Sequence, residues 1–175
     1  MDTLTAIATR HSIRRFTKKP VSEDTLKAIL YAGFSAPTAH NRTPVHFVVV
    51  REEETKARIA GAYRYASMLS YADTGIVVCV DTNTETSDEF VIADASAALQ
   101  NMLLAAHSMD LGAVWCGVLK DSDWYQHILQ ILDLPENIRP VGLMVLGYTD
   151  KPKRENRTDR YNESRIHREG YNKRS

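Results

Sequence analysis

Four short runs of mostly apolar residues, His46–Val50, Ile76–Val80, Ala113–Leu119 and Val141–Tyr148, are each separated from the next by a stretch of helical periodicity. That alternation constrains the chain more than any other feature, because runs of this length rich in β-branched residues are buried strands. Hairpin signals such as Asn-Gly are missing between the runs. The strands are therefore joined through helices, and the expected fold class is α+β, a sheet covered by helices.

The intervening segments supply those helices. Residues 3–9 predict a short helix with Leu4, Ile7 and Ala8 on one side. Ser22-Glu23-Asp24 gives an N-cap followed by acids in the first turn, and Leu26, Ile29, Leu30 and Gly33 then recur at helical spacing as a core face. Ser35 to Pro44 holds two prolines and no periodicity, so it is a loop without an evident partner in its own chain. A helix is expected from Glu52 to about Tyr65, with Ala66 to Asp73 unassigned, and another from Ser122 to Leu132 carrying Trp124 and Ile128. The longest helix opens at Ser87-Asp88-Glu89 and runs to a stop at Gly112. Its alanines and apolar residues lie on more than one face, which predicts one face on its own sheet and a second against another subunit, with Ala98 at that contact. After Thr149 the composition turns polar and charged, so the expected division is one domain over 1–148 and a C-terminal extension over 149–175.

Charge is distributed unevenly in a chain that is neutral overall, with 22 Lys and Arg against 22 Asp and Glu. Arg10-His11-Ser12-Ile13-Arg14-Arg15-Phe16-Thr17-Lys18-Lys19 packs five cations and a histidine into ten residues without a carboxylate. Forked guanidinium donors beside a hydroxyl suit a phosphate dianion, whereas a neutral chain excludes a surface built wholly for nucleic acid or anionic membrane. A nucleic-acid module using residues 10–19 would also need interleaved aromatic residues for stacking, and only Phe16 is present. The N-terminus has no signal-peptide pattern and no run is long enough for a membrane span. With Cys79 and Cys116 each inside an apolar run, the expectation is a cytoplasmic protein with two reduced thiols.

Several chemistries find no support in the sequence. Gly-x-Gly-x-x-Gly and Walker A patterns are absent, and the six histidines show neither i, i+4 pairing nor a Cys-x-x-Cys partner, so no metal is expected. Cys116 in Val-Trp-Cys-Gly-Val has no adjacent base and is expected to be a buried thiol rather than a nucleophile.

The basic loop, the stretch Ser35-Ala36-Pro37-Thr38-Ala39-His40-Asn41-Arg42-Thr43-Pro44 and the later Trp115-Cys116-Gly117 occur in the order and spacing that resemble the FMN-dependent nitroreductase family, over nearly the whole chain. The resemblance implies a sandwich with a central mixed β-sheet flanked by helices, and an intertwined homodimer with FMN sites at the interface. It assigns Arg10, His11, Ser12 and Arg14 to the flavin phosphate side, and Pro37, Thr38, Ala39 and Asn41 to the flavin rings. Trp115, Cys116 and Gly117 pass the ring, although Trp and Cys stand in the reverse of the family order. Gly147-Tyr148 with the basic stretch beyond it is similar to the family ending, which makes Arg160 the returning phosphate anchor and Arg157 the alternative. The extension would wrap on the partner subunit. The implied activity is two-electron reduction of nitroaromatics, quinones or similar small-molecule acceptors with NADH or NADPH, by a ping-pong mechanism without an acid–base residue of the protein. Reductive dehalogenation, flavin fragmentation or a carrier role without turnover would share the same flavin motifs.

Overall fold

The computed structural model describes residues 1–150 and 160–171. Four strands, β1 (Val45–Val50), β2 (Thr74–Asp81), β3 (Gly112–Gly117) and β4 (Ile138–Gly147), form one sheet in the order β1-β2-β4-β3. Every pairing among them is antiparallel. Among the described residues the sheet is thus antiparallel rather than the expected mixed one: β2 and β3 run in the same direction, but β4 lies between them and is antiparallel to both.

Helices α1 (Thr3–Thr9), α2 (Glu23–Phe34), α3 (Glu53–Gly61), α4 (Asp88–Ser108) and α5 (Asp123–Ile131) complete the chain, with a 3₁₀ segment at Arg64–Tyr71. The helices begin where the sequence offers caps. Ser22, Ser87 and Ser122 each accept the backbone N–H three residues on, at 3.2, 3.4 and 3.1 Å, and acids follow in each first turn.

Side-chain alternation along β2 divides the interior in two. Ile76, Val78 and Val80 face a core shared with Leu26 and Ile29 of α2 and with Leu99 and Met102 of α4. Val77 and Cys79 face the other core, with Ile59 of α3, Leu69 of the 3₁₀ segment, and Trp124 and Ile128 of α5. The sheet is therefore covered on both sides, which is why its strands read as unbroken apolar runs. β4 starts three residues earlier than the apolar run suggests and includes Pro140, which lies opposite Cys79 where the β2–β4 register shifts. An irregularity there accommodates a residue that has no N–H to give the ladder.

Three further expectations are corrected. α4 ends at Ser108, not Gly112; Asp110 takes the left-handed conformation at φ 64°, which a short polar side chain tolerates, and Gly112 already belongs to β3. The inward side of α1 is Ala6 and Thr9, while Leu4 and Ile7 are exposed. Ala98 is fully buried in its own chain against the sheet, so it is not available to a second subunit; the outward face of α4 instead carries Ile92 and Ala93, with Ser96 and Ala97 half-buried behind them. Residues 160–171 of the extension are exposed except for the half-buried His167.

Candidate functional site

The basic loop owes its shape to two backbone hydrogen bonds. Ile13 N–H donates to Ala113 C=O at 2.9 Å and Thr17 N–H to Tyr148 C=O at 2.8 Å, so residues 13–17 lie against the start of β3 and the end of β4. Ile13 points into the core while Ser12, Arg14 and Arg15 point outward. Upstream, Thr9 Oγ1 meets His107 Nε2 at 2.8 Å, which fastens the loop to the C-terminal end of α4, and the His11 ring stands edge-on to His107.

Among the described residues, none of the ion pairs uses a cation from the 10–19 loop or Arg160. Burial, and after it the neighbouring Arg160 guanidinium, holds the Arg10 pKa below its ordinary value. Two like charges brought together without a carboxylate form a place where an anion is stabilised. Arg157, the alternative anchor, lies outside the described residues.

β3 is an edge strand, and the Ile13 bond shows which of its groups face outward. Because Ala113 C=O points off the free edge, so do the N–H and C=O groups of Trp115 and Gly117 two and four residues on, while Val118 N–H turns back to Val141 C=O at 3.0 Å. These outward donors border a cavity of about 460 Å³ lined by Arg14, the 3₁₀ segment from Tyr63 to Met68, and Val114 to Gly117. A Cβ on Gly117 would meet nothing within 4 Å, so the edge is open there.

The side chains of Trp115 and Cys116 are both packed within the chain. Trp115 packs over bare Gly142, where a Cβ would come within 2.6 Å of its Nε1, and that Nε1 is buried without a partner among the described residues. Cys116 Sγ lies 3.3 Å from Tyr65 C=O, and burial pushes its thiol pKa up despite the opposing field of Arg14. Cys79 is pushed up to about 12 by burial alone. Both are buried thiols, with no adjacent base to make a nucleophile.

The Pro37–Asn41 stretch is elsewhere. Its loop is held by a residue the sequence reading missed: Asp94 of α4, 4% exposed, accepts Ala39 N–H at 2.9 Å through Oδ1, and its Oδ2 is buried without a partner among the described residues. Arg42 pairs with fully buried Glu85 at 3.0 Å, so the expectation that this loop lacks partners in its own chain is corrected. His40, Asn41 and Thr43 all have positive φ, between 52° and 55°, without a glycine among them. Such a cluster of strained residues persists only when its surroundings impose it. Polar residues inside apolar helical runs were the one available signal, and Asp94 in Ile-Ala-Asp-Ala-Ser is such a residue.

α4 measures the separation between the two motifs. The phosphate-side loop is fastened to His107 and the Pro37–Asn41 loop to Asp94, 13 residues apart, or roughly 20 Å along the helix axis. One chain therefore brings Arg10 near Arg160, and Arg14 beside Trp115, Cys116 and Gly117, but holds Pro37, Thr38, Ala39 and Asn41 at the far end of the helix.

An α-β-α sandwich with two neighbouring guanidinium groups that form no ion pair among the described residues, beside an open strand edge, suits a protein that holds an anionic planar cofactor. Comparison with known proteins makes the assignment specific. The profile of the nitroreductase family matches residues 7–67 and 63–148, and the chain belongs to that family. A Methanothermobacter thermautotrophicus protein provisionally named NADH dehydrogenase/NAD(P)H nitroreductase is 40% identical over 148 residues, covering 85% of this chain and 78% of that protein. A crystal structure from Parabacteroides distasonis with the same provisional name superposes with a TM-score of 0.89 at 34% identity, covering 97% of this chain and 98% of the other. The NADPH:FMN oxidoreductase of Vibrio harveyi, solved with NAD+, superposes with a TM-score of 0.84 at 26% identity, covering 99% and 79%.

Proposed function

We propose that the protein is an FMN-dependent oxidoreductase that passes two electrons from NADH or NADPH to small electron-poor acceptors such as quinones and nitroaromatics. The observation that carries this reading is the open edge of β3, where outward N–H groups of Trp115 and Gly117 lie beside Arg14 in a cavity, with Arg10 and Arg160 together nearby. Arg10, Ser12 and Arg160, with His11 beside them, hold the phosphate, and the strand edge holds the rim of the ring system. FMN held there by Arg10, Ser12 and Arg160 would supply hydride transfer between the donor and the acceptor. With a proton from solvent, a quinone then leaves as the hydroquinone and a nitro group as a nitroso group and water.

What the chain contributes is binding and electrostatics. Backbone N–H groups aimed at one edge of a planar ring stabilise negative charge that develops there, and they need no reorganisation because the β3–β4 ladder fixes them. No side chain is required to move a proton. A second nucleotide-binding fold is absent from the described residues, so donor and acceptor use the same cavity in turn.

The distance along α4 supports a homodimer in which Pro37, Thr38, Ala39 and Asn41 of each chain complete the site of the other. Exposed Leu4, Ile7, Tyr31, Phe34 and Ile92 give such a partner an apolar surface, and the extension beyond residue 148 wraps on it. No helix among the described residues is long and apolar enough to cross a membrane, and the reading places the protein in the cytoplasm.

Purified protein tests this directly. It should be yellow, release FMN on denaturation and bleach with NADH or NADPH under anaerobic conditions, and initial rates should give parallel double-reciprocal lines. Colourless protein that takes up no FMN would overturn the reading; intersecting lines would overturn the shared cavity alone.

A further inference from the structure

The cavity beside β3 has a second cation that the family motifs do not include. Arg64 and Arg14 both line it, and none of its described lining residues is an acid. Arg64 is exposed, yet it is not a loose surface charge. Its guanidinium lies 4.4 Å from the centre of the Tyr65 ring and donates to the Tyr65 hydroxyl. The segment that carries it is fastened at both sides: Tyr63 stacks on Trp124 at 4.5 Å, and the Cys116 thiol donates to Tyr65 C=O at 3.3 Å. Among the described residues Arg64 forms no ion pair. A guanidinium has five N–H donors, so most of its fork stays open toward the cavity after the Tyr65 contact. The guanidinium covers one face of the Tyr65 ring, and the Tyr63 ring stands edge-on to Tyr65 at 5.3 Å, so the fork is braced by aromatic residues.

We infer that Arg64 is a specificity-determining residue that selects planar ligands bearing an anionic group, either a carboxylate on an aromatic acceptor or the extra phosphate that distinguishes NADPH from NADH. The inference rests on the proposed flavin reaction and names the ligand class that reaction favours. Anchoring at Arg64 lets the flat part of the ligand lie in the cavity along Val114 to Gly117 while the anion binds the open fork. The position is held before the ligand arrives, so little ordering is needed on binding.

The test compares matched ligands on the FMN-loaded protein. 4-Nitrobenzoate and 4-nitrobenzamide differ in charge but little in shape, and NADPH and NADH differ by one phosphate. In Arg64→Gln, KM for the charged member of at least one pair should rise about tenfold, the scale of one charge-assisted contact near a surface, while the neutral member changes little. A change in the nitrobenzoate arm alone assigns Arg64 to the acceptor, and a change in the NADPH arm alone assigns it to the donor. Changes in both fit a cavity used by the two in turn. Benzoate should inhibit the wild type in competition with 4-nitrobenzamide, and added salt should weaken that inhibition. Unchanged KM values in both arms with normal FMN content would overturn the inference, and absence of benzoate inhibition would overturn its acceptor arm. Wild-type protein without bound FMN would instead count against the functional reading beneath it.

Discussion

Arg10, Arg14 and Arg15 are close in sequence but face three different settings. Arg10 is partly buried beside Arg160, Arg14 borders the cavity under Trp115 and Cys116, and Arg15 points outward from the extended segment. Arg10→Ala and Arg14→Ala should each weaken FMN binding by roughly 1.5–3 kcal/mol, the scale of a hydrogen bond to a charged group, whereas Arg15→Ala should change it little. Fluorescence titration of the apoprotein measures all three, and equal losses would mean diffuse attraction instead of a shaped site. Glu85 gives a second expectation. The Ser87 N–H, and after it Arg42, hold its carboxyl below the ordinary 4.5 although burial opposes them. A carboxylate whose folded pKa is depressed lends its stability fully above the unfolded value, and loses it as pH falls through the lower folded one. Melting temperatures taken from pH 7 downward should therefore fall more steeply below about pH 4.5 in the wild type than in Glu85→Gln, whose profile should be flatter and lower at neutral pH. Parallel profiles would show that Glu85 is not among the groups that acid titrates.

At the scale of elements, the strands and helices were legible because burial wrote them plainly. A sheet covered on both faces makes β2 apolar at nearly every position, and serine caps with acids behind them marked α2, α4 and α5 within a residue or two. Strand direction was not legible, since the same apolar runs serve a parallel or an antiparallel neighbour. Ala98 shows the limit of reading a helix by residue size: a small residue suits a close approach to the sheet as well as to a subunit, and here it meets the sheet. The Arg-Ser-Arg loop could be found because a run of cations without acids is local. The loop from Pro37 to Thr43 kept its mechanism hidden, because the Asp94 contact spans 55 residues and the positive φ values occur without glycine. Asp94→Ala should release that loop and lower FMN affinity about tenfold, whereas Asp94→Asn keeps an oxygen for Ala39 N–H and should lose less than threefold. Visible circular dichroism of the bound flavin should follow the same order. A lower melting temperature with unchanged affinity and spectrum would reduce Asp94 to a structural role.

For the whole molecule, the separation of the two motifs by the length of α4 would tie cofactor binding to assembly in the proposed homodimer. Ala93→Glu, on the outward face of α4, should weaken the dimer and lower FMN occupancy together without altering any flavin contact within the chain, as sedimentation followed at the flavin absorbance would show. A monomeric variant that keeps full affinity would sink the shared site. The buried sulfur of Cys116 bears on how long such an enzyme survives its own work. Quinones are electrophiles that capture thiolates, and a sulfur next to the place where they are reduced would ordinarily be a route to suicide inactivation. Here burial raises the Cys116 pKa and its S–H is directed to Tyr65 C=O, so the sulfur that lines the proposed cavity would be a poor target for a quinone. In the proposed reaction, a hydrogen bond that takes no part in electron transfer would thus lengthen catalytic lifetime, counted as turnovers before activity is lost.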